Sequence, residues 1–210
     1  MSNVPLMFQP LVKYAEFQGR SRRSEFWLWV LFRILLGAVA GSVMSSMMFS
    51  GLAAIHPAAN MAPDAMSQAY MGAMSNYMRV MPIFSLINLA LLLPSIAVGV
   101  RRLHDTNRTG WWMIMPIVVA VAGVILFFIF GGSALFSLIQ AGEHPNDAAV
   151  GQFILQLVGS MMLCLFLPML IAEIVMLVFY VSDGTPGPNR FGADPKGRGA
   201  AKVSISETFA

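Results

Sequence analysis

Charged residues are scarce in this sequence. Asp, Glu, Lys and Arg make up 11% of its 210 residues, whereas soluble domains carry roughly 25%. Hydrophobic residues make up 57% of the chain. This balance excludes an ordinary soluble globular domain and indicates a protein whose main solvent is lipid.

Two further absences narrow the chemistry. The one cysteine, Cys164, has no second cysteine with which to form an internal disulfide, and its place inside an apolar run predicts an inert buried thiol. The sequence also lacks HExxH, GxxxxGKS/T and GxSxG, the signatures of zinc peptidases, P-loop proteins and serine hydrolases. We therefore predict no metal and no cofactor, and we favour a protein that is not an enzyme.

Four apolar runs occupy most of the chain, namely residues 26–49, 80–100, 111–130 and 152–181. A helix needs about 20 apolar residues to cross the ~30 Å hydrocarbon core of a bilayer, and each run is long enough. The sequence therefore predicts an all-α membrane protein, a bundle of four transmembrane helices.

The segments around these runs add detail to this prediction. Residues 50–79 carry methionine and tyrosine at helical spacing, which predicts an outer amphipathic helix that leads into the second run. The fourth run would be about 45 Å long as a straight helix, so it should tilt, bend near Pro168 or extend beyond the membrane. Arg33 interrupts the first run, and this argues against a cleaved signal peptide there.

Positive charge predicts how the chain crosses the membrane. Lys and Arg number four before the first run, three between the second and third runs, and four in the tail, but one in the two intervening segments together. Because cytoplasmic segments are enriched in Lys and Arg, both termini and residues 101–110 are predicted to be cytoplasmic. The chain then divides into a cytoplasmic N-terminal segment (1–25), a four-span membrane domain (26–181) and a cytoplasmic tail (182–210).

Three polar motifs fall on the predicted cytoplasmic side: FQGRSRRSEFW (17–27), RRLHDTNRTGWW (101–112) and GTPGPNRFGADP (184–195). In this order and beside these runs, they resemble the small bacterial inner-membrane family catalogued as domain of unknown function 805. The resemblance implies a multi-span protein of the bacterial inner membrane and no established activity. This chain is longer than typical members, chiefly in residues 50–79 and 131–151.

The even number of runs returns the tail to the face that carries the first two motifs. We therefore predict that the three motifs meet in one cytoplasmic polar cluster, covered by residues 184–192 and with Trp111 or Trp112 beneath it. The predicted members of the cluster are Arg20, Arg101, Arg102, His104, Asp105, Asn189 and Arg190.

The chemistry of the cluster leaves two interpretations open. Its arginines outnumber the nearby carboxylates, which suits an anion such as a lipid phosphate, and the Gly- and Pro-rich tail can present backbone N–H groups to that anion. The same groups can instead only tie the loops together. The side chains of His104 and Asp105 would diverge by about 100° on a helix, so they should contact different partners. Asn107 is suited to the left-handed backbone that a tight turn requires.

Arg33 and Glu173 are the charged residues inside the apolar runs. Both lie ~12 Å along their helices from the predicted cytoplasmic end. A lone charge at membrane depth costs at least ~2.5 kcal/mol, so such residues usually pair or face a cavity. We predict that they form an ion pair that joins the first span to the fourth. In the alternative, the long Arg33 side chain reaches the cytoplasmic interface instead.

Three functional classes follow. The favoured one is a non-enzymatic inner-membrane protein whose cluster binds an anionic group, either a headgroup of an anionic phospholipid or an acidic segment of a partner. Nucleic acid is not expected as a partner, because the basic residues flank spans. The alternatives are a small transporter or channel, and a membrane enzyme on lipid headgroups that would rely on His104, Asp105 and Asp183. The methionines near His56 also suit Cu(I), although packing explains them more simply. The oligomeric state stays open.

Overall fold

The structure is a computed structural model that describes residues 4–53, 63–142 and 146–198. Across these residues the protein is built from helices and has no strand. The predicted all-α membrane fold with four spans is confirmed. The helical segments that are long and apolar enough to cross a membrane are Arg23–Met47, Tyr70–Asp105, Gly110–Gln140 and Asp147–Val181.

The first half of the described chain contains a 3-10 turn and three α-helices. Their bounds are Leu6–Phe8 for the 3-10 turn, Gln9–Val12 for α1, Arg23–Ala53 for α2 and Pro63–Asp105 for α3.

The second half contains the third and fourth spans. The third span starts with a 3-10 segment and continues as α4, and the fourth consists of α5 and α6 with a π-helical segment between them. The bounds are Gly110–Ile114 for the 3-10 segment, Met115–Gln140 for α4, Asp147–Met161 for α5, Met162–Phe166 for the π-helix and Leu167–Val181 for α6.

The predicted outer amphipathic helix and the second span form one continuous helix, α3. Pro63 and Asp64 begin it, and both residues suit a first turn because proline has no N–H to leave unpaired and a carboxylate interacts well with the helix dipole. Pro82 and Pro94 lie inside the helix. His56 and Met61 of the methionine-rich segment lie outside the described residues, as does the end of the tail after residue 198.

The chain folds as two compact units, and the boundary between them lies within α3. The first unit is Met1–Phe17 with Ser24–Val98, and the second is Gln18–Arg23 with Gly99–Ala210.

In the first unit, polar side chains join α2 to α3. The buried Trp29 donates from Nε1 to Ser95 Oγ at 3.1 Å, and Arg33 donates from Nη2 to Asn88 Oδ1 at 3.0 Å. Lipid tails are as apolar as leucine, so burial gives helices little reason to associate in a membrane. Bonds of this kind therefore fix which faces of two helices meet.

In the second unit, α4 approaches the fourth span closely at Gly123. A Cβ atom built on Gly123 would lie 2.3 Å from the carbonyl oxygen of Cys164, so this contact accepts no side chain. Pro168, four residues after Cys164, has no N–H to donate to that carbonyl, and the π-helical segment lies directly before α6, where Pro168 sits in the first turn. The helix type thus changes at Met162–Phe166, directly before the helix that contains Pro168, and the tilt, bend or extension predicted for this run stays a prediction.

Candidate functional site

Three segments of the second unit meet through their main chains. They are Gln18–Arg23, the turn after α3, and the loop of residues 182–198, called the tail loop below. Ser21 N donates to Arg101 O at 3.1 Å, and Thr185 N donates to Asp105 O at 2.9 Å. We call this assembly the motif cluster, because each segment carries one of the three sequence motifs.

Asp105 lies at the centre of the motif cluster and is buried. Its Oδ1 accepts from Arg20 Nε at 3.0 Å, and its Oδ2 accepts from Arg102 Nη1. Both arginines are buried as well. A single carboxylate is thus held between two guanidinium groups in a site with almost no access to water, where each of these charge-assisted bonds is strong.

Arg20 is used entirely for holding loops together. Its Nη1 donates to Gly187 O at 2.7 Å, and its Nη2 donates to Thr185 O at 2.6 Å. With Nε on Asp105, all three nitrogens of the guanidinium group have acceptors within the protein. Two of those acceptors are main-chain carbonyls of the tail loop, so Arg20 fixes the path of that loop.

Arg102 closes the end of α6. Its Nε donates to Tyr180 O at 3.1 Å, and its Nη2 donates to Ser182 O. The last carbonyl groups of a helix have no partner within the helix and carry partial negative charge. An arginine at this place satisfies them and interacts favourably with the helix dipole, which explains why the fourth span ends beside this motif.

The turn after α3 follows the prediction for Asn107, whose φ is 58°. Arg108 N donates to Leu103 O at 2.9 Å, and Asn107 N donates to His104 O at 3.0 Å. This pair of bonds around a left-handed residue is the Schellman ending of a helix. It brings Arg108 out of the helix and turns the chain toward the third span.

His104 and Asn189 contact the tail loop on another side. His104 Nδ1 lies 3.2 Å from Gly19 O, and its ring stacks on Phe191 with centroids 3.9 Å apart. Asn189 Nδ2 donates to His104 O at 3.0 Å. His104 and Asp105 therefore contact different partners, as their spacing on a helix predicts.

Two residues of the tail loop show how tightly it packs on Asp105 and Arg20. A Cβ atom built on Gly184 would lie 2.0 Å from Asp105 Oδ2, so only glycine fits there. Asp194 Oδ2 accepts from Arg198 Nε at 2.9 Å, and its Oδ1 lies 3.9 Å from Arg20 Nη2. The hydrogen bond from Arg198 lowers the pKa of Asp194 to about 2.

The sequence analysis missed Gly184, Thr185 and Asp194 as members of the site. Asp194 offered a signal, because it stands in the third motif and carries charge where the predicted cluster lacked carboxylates. Gly184 offered none beyond its place in a turn-rich segment, since the need for glycine depends on the position of Asp105.

Two arginines lie at the exposed side of the motif cluster, and we call them the basic edge. Arg190 is exposed, and its Nη2 donates to Asn107 O at 3.1 Å. The guanidinium carbon of Arg108 lies 4.0 Å from the ring centroid of Phe179. Among the described residues, the side-chain nitrogens of Arg108 have no hydrogen-bond acceptor. The two arginines are close to each other, because Arg190 bonds to the carbonyl oxygen of Asn107, the residue directly before Arg108.

The tryptophans lie beside the basic edge. Trp111 is 76% exposed, and the Trp112 ring contacts Phe179 edge-on with centroids 5.1 Å apart. The expectation of a tryptophan beneath the cluster therefore does not hold for Trp111, whose indole faces outward at the start of the third span.

The structure brings most of the predicted site residues together. Arg101 is buried, and its carbonyl accepts from Ser21 within the cluster. In the described ranges, no group of three or more His, Cys, Asp or Glu side chains is arranged to hold a metal ion. The predicted residues with side-chain contacts inside the motif cluster include Arg20, Arg102, His104, Asp105, Asn189 and Arg190.

The two charged residues inside the spans lie in different units. Arg33 bonds to Asn88 in the first unit. In the second unit, Glu173 lines an apolar groove of about 400 Å³ together with Met161, Leu165 and Met169. Their pairing stays a prediction.

Comparison with known proteins agrees with the three motifs. A family model described as "Protein of unknown function (DUF805)" matches residues 14–193. The chain belongs to this family. The resemblance drawn from the motifs is thereby confirmed, and the matched range of the DUF805 member contains the cluster from Arg20 to Arg190.

Two Escherichia coli (strain K12) proteins are similar to this DUF805 chain over most of their length. Inner membrane protein YhaI is 25% identical over 186 residues, which cover 89% of this chain and 91% of YhaI. Inner membrane protein YhaH is 24% identical over 188 residues, which cover 89% of this chain and 92% of YhaH. No solved structure matches the chain.

Proposed function

We propose that this protein is a non-enzymatic inner-membrane protein that binds an anionic headgroup at the basic edge of its motif cluster. Its membrane assignment is supported by the four apolar helices and by the two relatives that are named inner membrane proteins. The distribution of Lys and Arg supports a topology in which both termini and the motif cluster are cytoplasmic.

The observation that carries the proposal is the contrast between two kinds of arginine. Arg20 and Arg102 spend all their nitrogens on acceptors within the protein and are buried. Arg190 is exposed and donates one hydrogen bond, to Asn107 O at 3.1 Å. The guanidinium carbon of Arg108 lies 4.0 Å from the ring centroid of Phe179, and among the described residues its N–H groups have no acceptor. Arginine binds phosphate oxygens through these N–H groups.

The charge around the basic edge favours an anion. The nearby carboxylates are already engaged: Asp105 with Arg20 and Arg102, and Asp183 with Arg23 at 2.8 Å and with Lys196 at 3.1 Å. Nothing among the described residues offers a carboxylate to Arg108 or Arg190. Their positive charge is therefore left for a group outside the chain, and anionic lipids concentrate at the cytoplasmic surface.

The geometry gives no support to catalysis on lipid headgroups. A general acid or base has to lie within hydrogen-bond reach of the reacting group. Asp105 is buried between two arginines, and Asp183 lies at the surface with Arg23 and Lys196. The His104 ring is stacked on Phe191. The three residues have separate partners and do not converge on one cleft.

Lipid selectivity tests the proposal. We expect the full chain to prefer phosphatidylglycerol over phosphatidylcholine in native mass spectrometry. The double variant Arg108→Gln, Arg190→Gln should lower that preference by about tenfold for each arginine, because each loses about one charge-assisted bond. Arg79→Gln is the matched control, since it removes the same charge from the predicted outer side. A double variant that keeps both its thermal stability and the preference of the wild type would refute the proposed role.

The orientation has its own test. A reporter enzyme that is active only in the cytoplasm, fused after Ala210, should be active, and one that is active only after export should be silent. The opposite result would place the basic edge away from the cytoplasm and remove the argument from cytoplasmic anionic lipids.

A small transporter is the second candidate, and Glu173 is the observation in its favour. Its carboxylate lines a groove whose other residues are apolar, beside a π-helical segment, and such segments occur often at functional sites. Charged residues within spans mark ion or substrate pathways when they have no structural partner.

The predicted ion pair between Arg33 and Glu173 separates the structural role of Glu173 from a transport role. If the two residues pair, Arg33→Ala and Glu173→Gln should each lower thermal stability, and the double variant should lose clearly less than the sum of both. If the losses are additive, the two residues do not form an ion pair, and the transport role of Glu173 remains the explanation for its place in the span.

A further inference from the structure

An apolar groove runs along the beginning of the third span, next to the basic edge. Its volume is about 410 Å³, and its lining includes Thr109, Trp111, Trp112, Met115 and Val118. We call it the Trp groove. Sites for small molecules commonly have volumes of 300–1,000 Å³ and mostly apolar walls, so the Trp groove is large enough for part of a ligand.

The Trp groove is joined to the basic edge by aromatic contacts. Arg108 lies on Phe179 at 4.0 Å, and Phe179 contacts Trp112, which lines the groove, at 5.1 Å. Thr109, the residue after Arg108, also lines the groove. The cationic group of Arg108 thus lies at one end of the apolar Trp groove, which is the arrangement that an amphipathic ligand requires.

The depth of the groove agrees with its place in a membrane. Trp111, which is 76% exposed at its mouth, belongs at the headgroup level, where indoles are enriched. From Thr109 the lining continues down the span to Val119. These residues cover about 15 Å along the helix, half of the ~30 Å hydrocarbon core and so the depth of one leaflet.

We propose that the Trp groove holds an acyl chain of an anionic phospholipid whose phosphate is bound by Arg108 and Arg190. This inference rests on the proposed function, because it uses the same two arginines, and it adds that the ligand is a whole phospholipid and not a soluble anion. A free phosphate would leave the groove unused. An acidic peptide segment would expose its backbone N–H and C=O groups to an apolar wall at membrane depth, which is costly.

Filling the groove tests the acyl chain apart from the headgroup. Val118 is 59% exposed and lines the groove, so Val118→Trp should occupy it without disturbing a packed core. Val121, which is 55% exposed on the same helix and is absent from the lining, provides the matched control Val121→Trp. Binding of phosphatidylglycerol to the full chain would be measured by titration in detergent with native mass spectrometry, after both variants are shown to melt like the wild type.

We expect Val118→Trp to weaken phosphatidylglycerol binding by about tenfold, the loss produced when two methylene groups are expelled from an apolar site. Val121→Trp should bind like the wild type. Inorganic phosphate, added in excess, probes the headgroup site alone. It should compete weakly with phosphatidylglycerol, and to the same degree in both variants, because neither variant changes the arginines.

The failures of the two proposals are distinguishable. If Val118→Trp binds like the wild type while the variants of Arg108 and Arg190 lose selectivity, the headgroup site stands and the acyl-chain inference is overturned. If Val118→Trp weakens phosphatidylglycerol and phosphatidylcholine equally and the arginine variants change nothing, the groove binds lipid without regard to charge. Both proposals then fail.

Discussion

The motif cluster and the contact between α4 and the fourth span are two regions of the same unit that reach close packing by opposite means. In the cluster, buried charged groups satisfy one another, with Asp105 between Arg20 and Arg102. At the helix contact, a missing side chain at Gly123 lets one backbone approach the carbonyl of Cys164. The first region depends on polar pairing and the second on the absence of a methyl group.

The difference follows from the solvent that each region faces. Much of the surface of the spans is exposed apolar side chain, which lipid covers without penalty. Hydrophobic burial then contributes little to the choice between helix arrangements, so specificity has to come from hydrogen bonds and from close backbone approach. The cluster supplies the first at the end of the bundle, and Gly123 supplies the second within the spans.

The largest expected loss comes from removing the central carboxylate. Asp105→Ala leaves Arg20 and Arg102 buried without their counter-charge, and breaking a buried pair in this way costs about 3–5 kcal/mol of unfolding free energy. Thermal unfolding in detergent, followed by circular dichroism, would measure it. Asp183→Ala is the control, because Asp183 forms its two ion pairs at the surface and should matter little. Equal losses of stability in the two variants would show that the buried carboxylate of Asp105 contributes no more to the cluster than a surface carboxylate does.

Gly184→Ala should act through the same carboxylate. The new methyl group would overlap Asp105 Oδ2 and force the tail loop away, at a cost of about 1–3 kcal/mol. In an Asp105→Ala background the overlap is gone, so Gly184→Ala should then cost much less. The same cost in both backgrounds would mean that Gly184 acts through the backbone of the tail loop and not through Asp105.

Gly123→Ala applies the same logic to the helix contact. Its Cβ would lie 2.3 Å from a main-chain oxygen, which cannot rotate away, so we expect a loss of about 1–3 kcal/mol as the helices separate. Gly132→Ala, also in α4 but with no atom within 4 Å of the new Cβ, should be neutral or stabilising by up to ~1 kcal/mol. Equal melting temperatures of the two variants would show that the close approach of Gly123 to the Cys164 carbonyl does not stabilise the helix contact.

The two regions also differ in how far the sequence predicts them. Charged motifs stand out in an apolar chain, and the even number of spans returns them to one face. For this reason, Arg20, Arg102 and Asp105 could be predicted from the sequence. Gly123 could not, because a glycine in an apolar run has no signature until the atom opposite it is known. Cys164 shows the same limit, since its thiol was considered but its carbonyl makes the contact.

Asp194 provides the smallest and most specific test, because its side chain is buried while that of its partner Arg198 is 34% exposed. Arg198 lowers its pKa to about 2, below the usual ~3.9 of an unfolded aspartate. A carboxylate with a lowered pKa stabilises the fold above the unfolded value, and that contribution is lost as the pH falls toward the folded value. We therefore expect the tail loop to loosen between about pH 4 and pH 2.

Hydrogen exchange of residues 184–198 over this pH range would detect the change. The pKa of Asp183 is also lowered, by its hydrogen bond from Lys196, so part of the wild-type response belongs to that residue. Asp194→Asn isolates the contribution of Asp194, since the variant cannot accept a proton there and should show a shallower pH dependence and less protection at pH 6. An identical pH profile in wild type and variant would mean that Arg20 and Asp105 alone hold the tail loop, and that the ion pair of Asp194 with Arg198 adds nothing to the cluster.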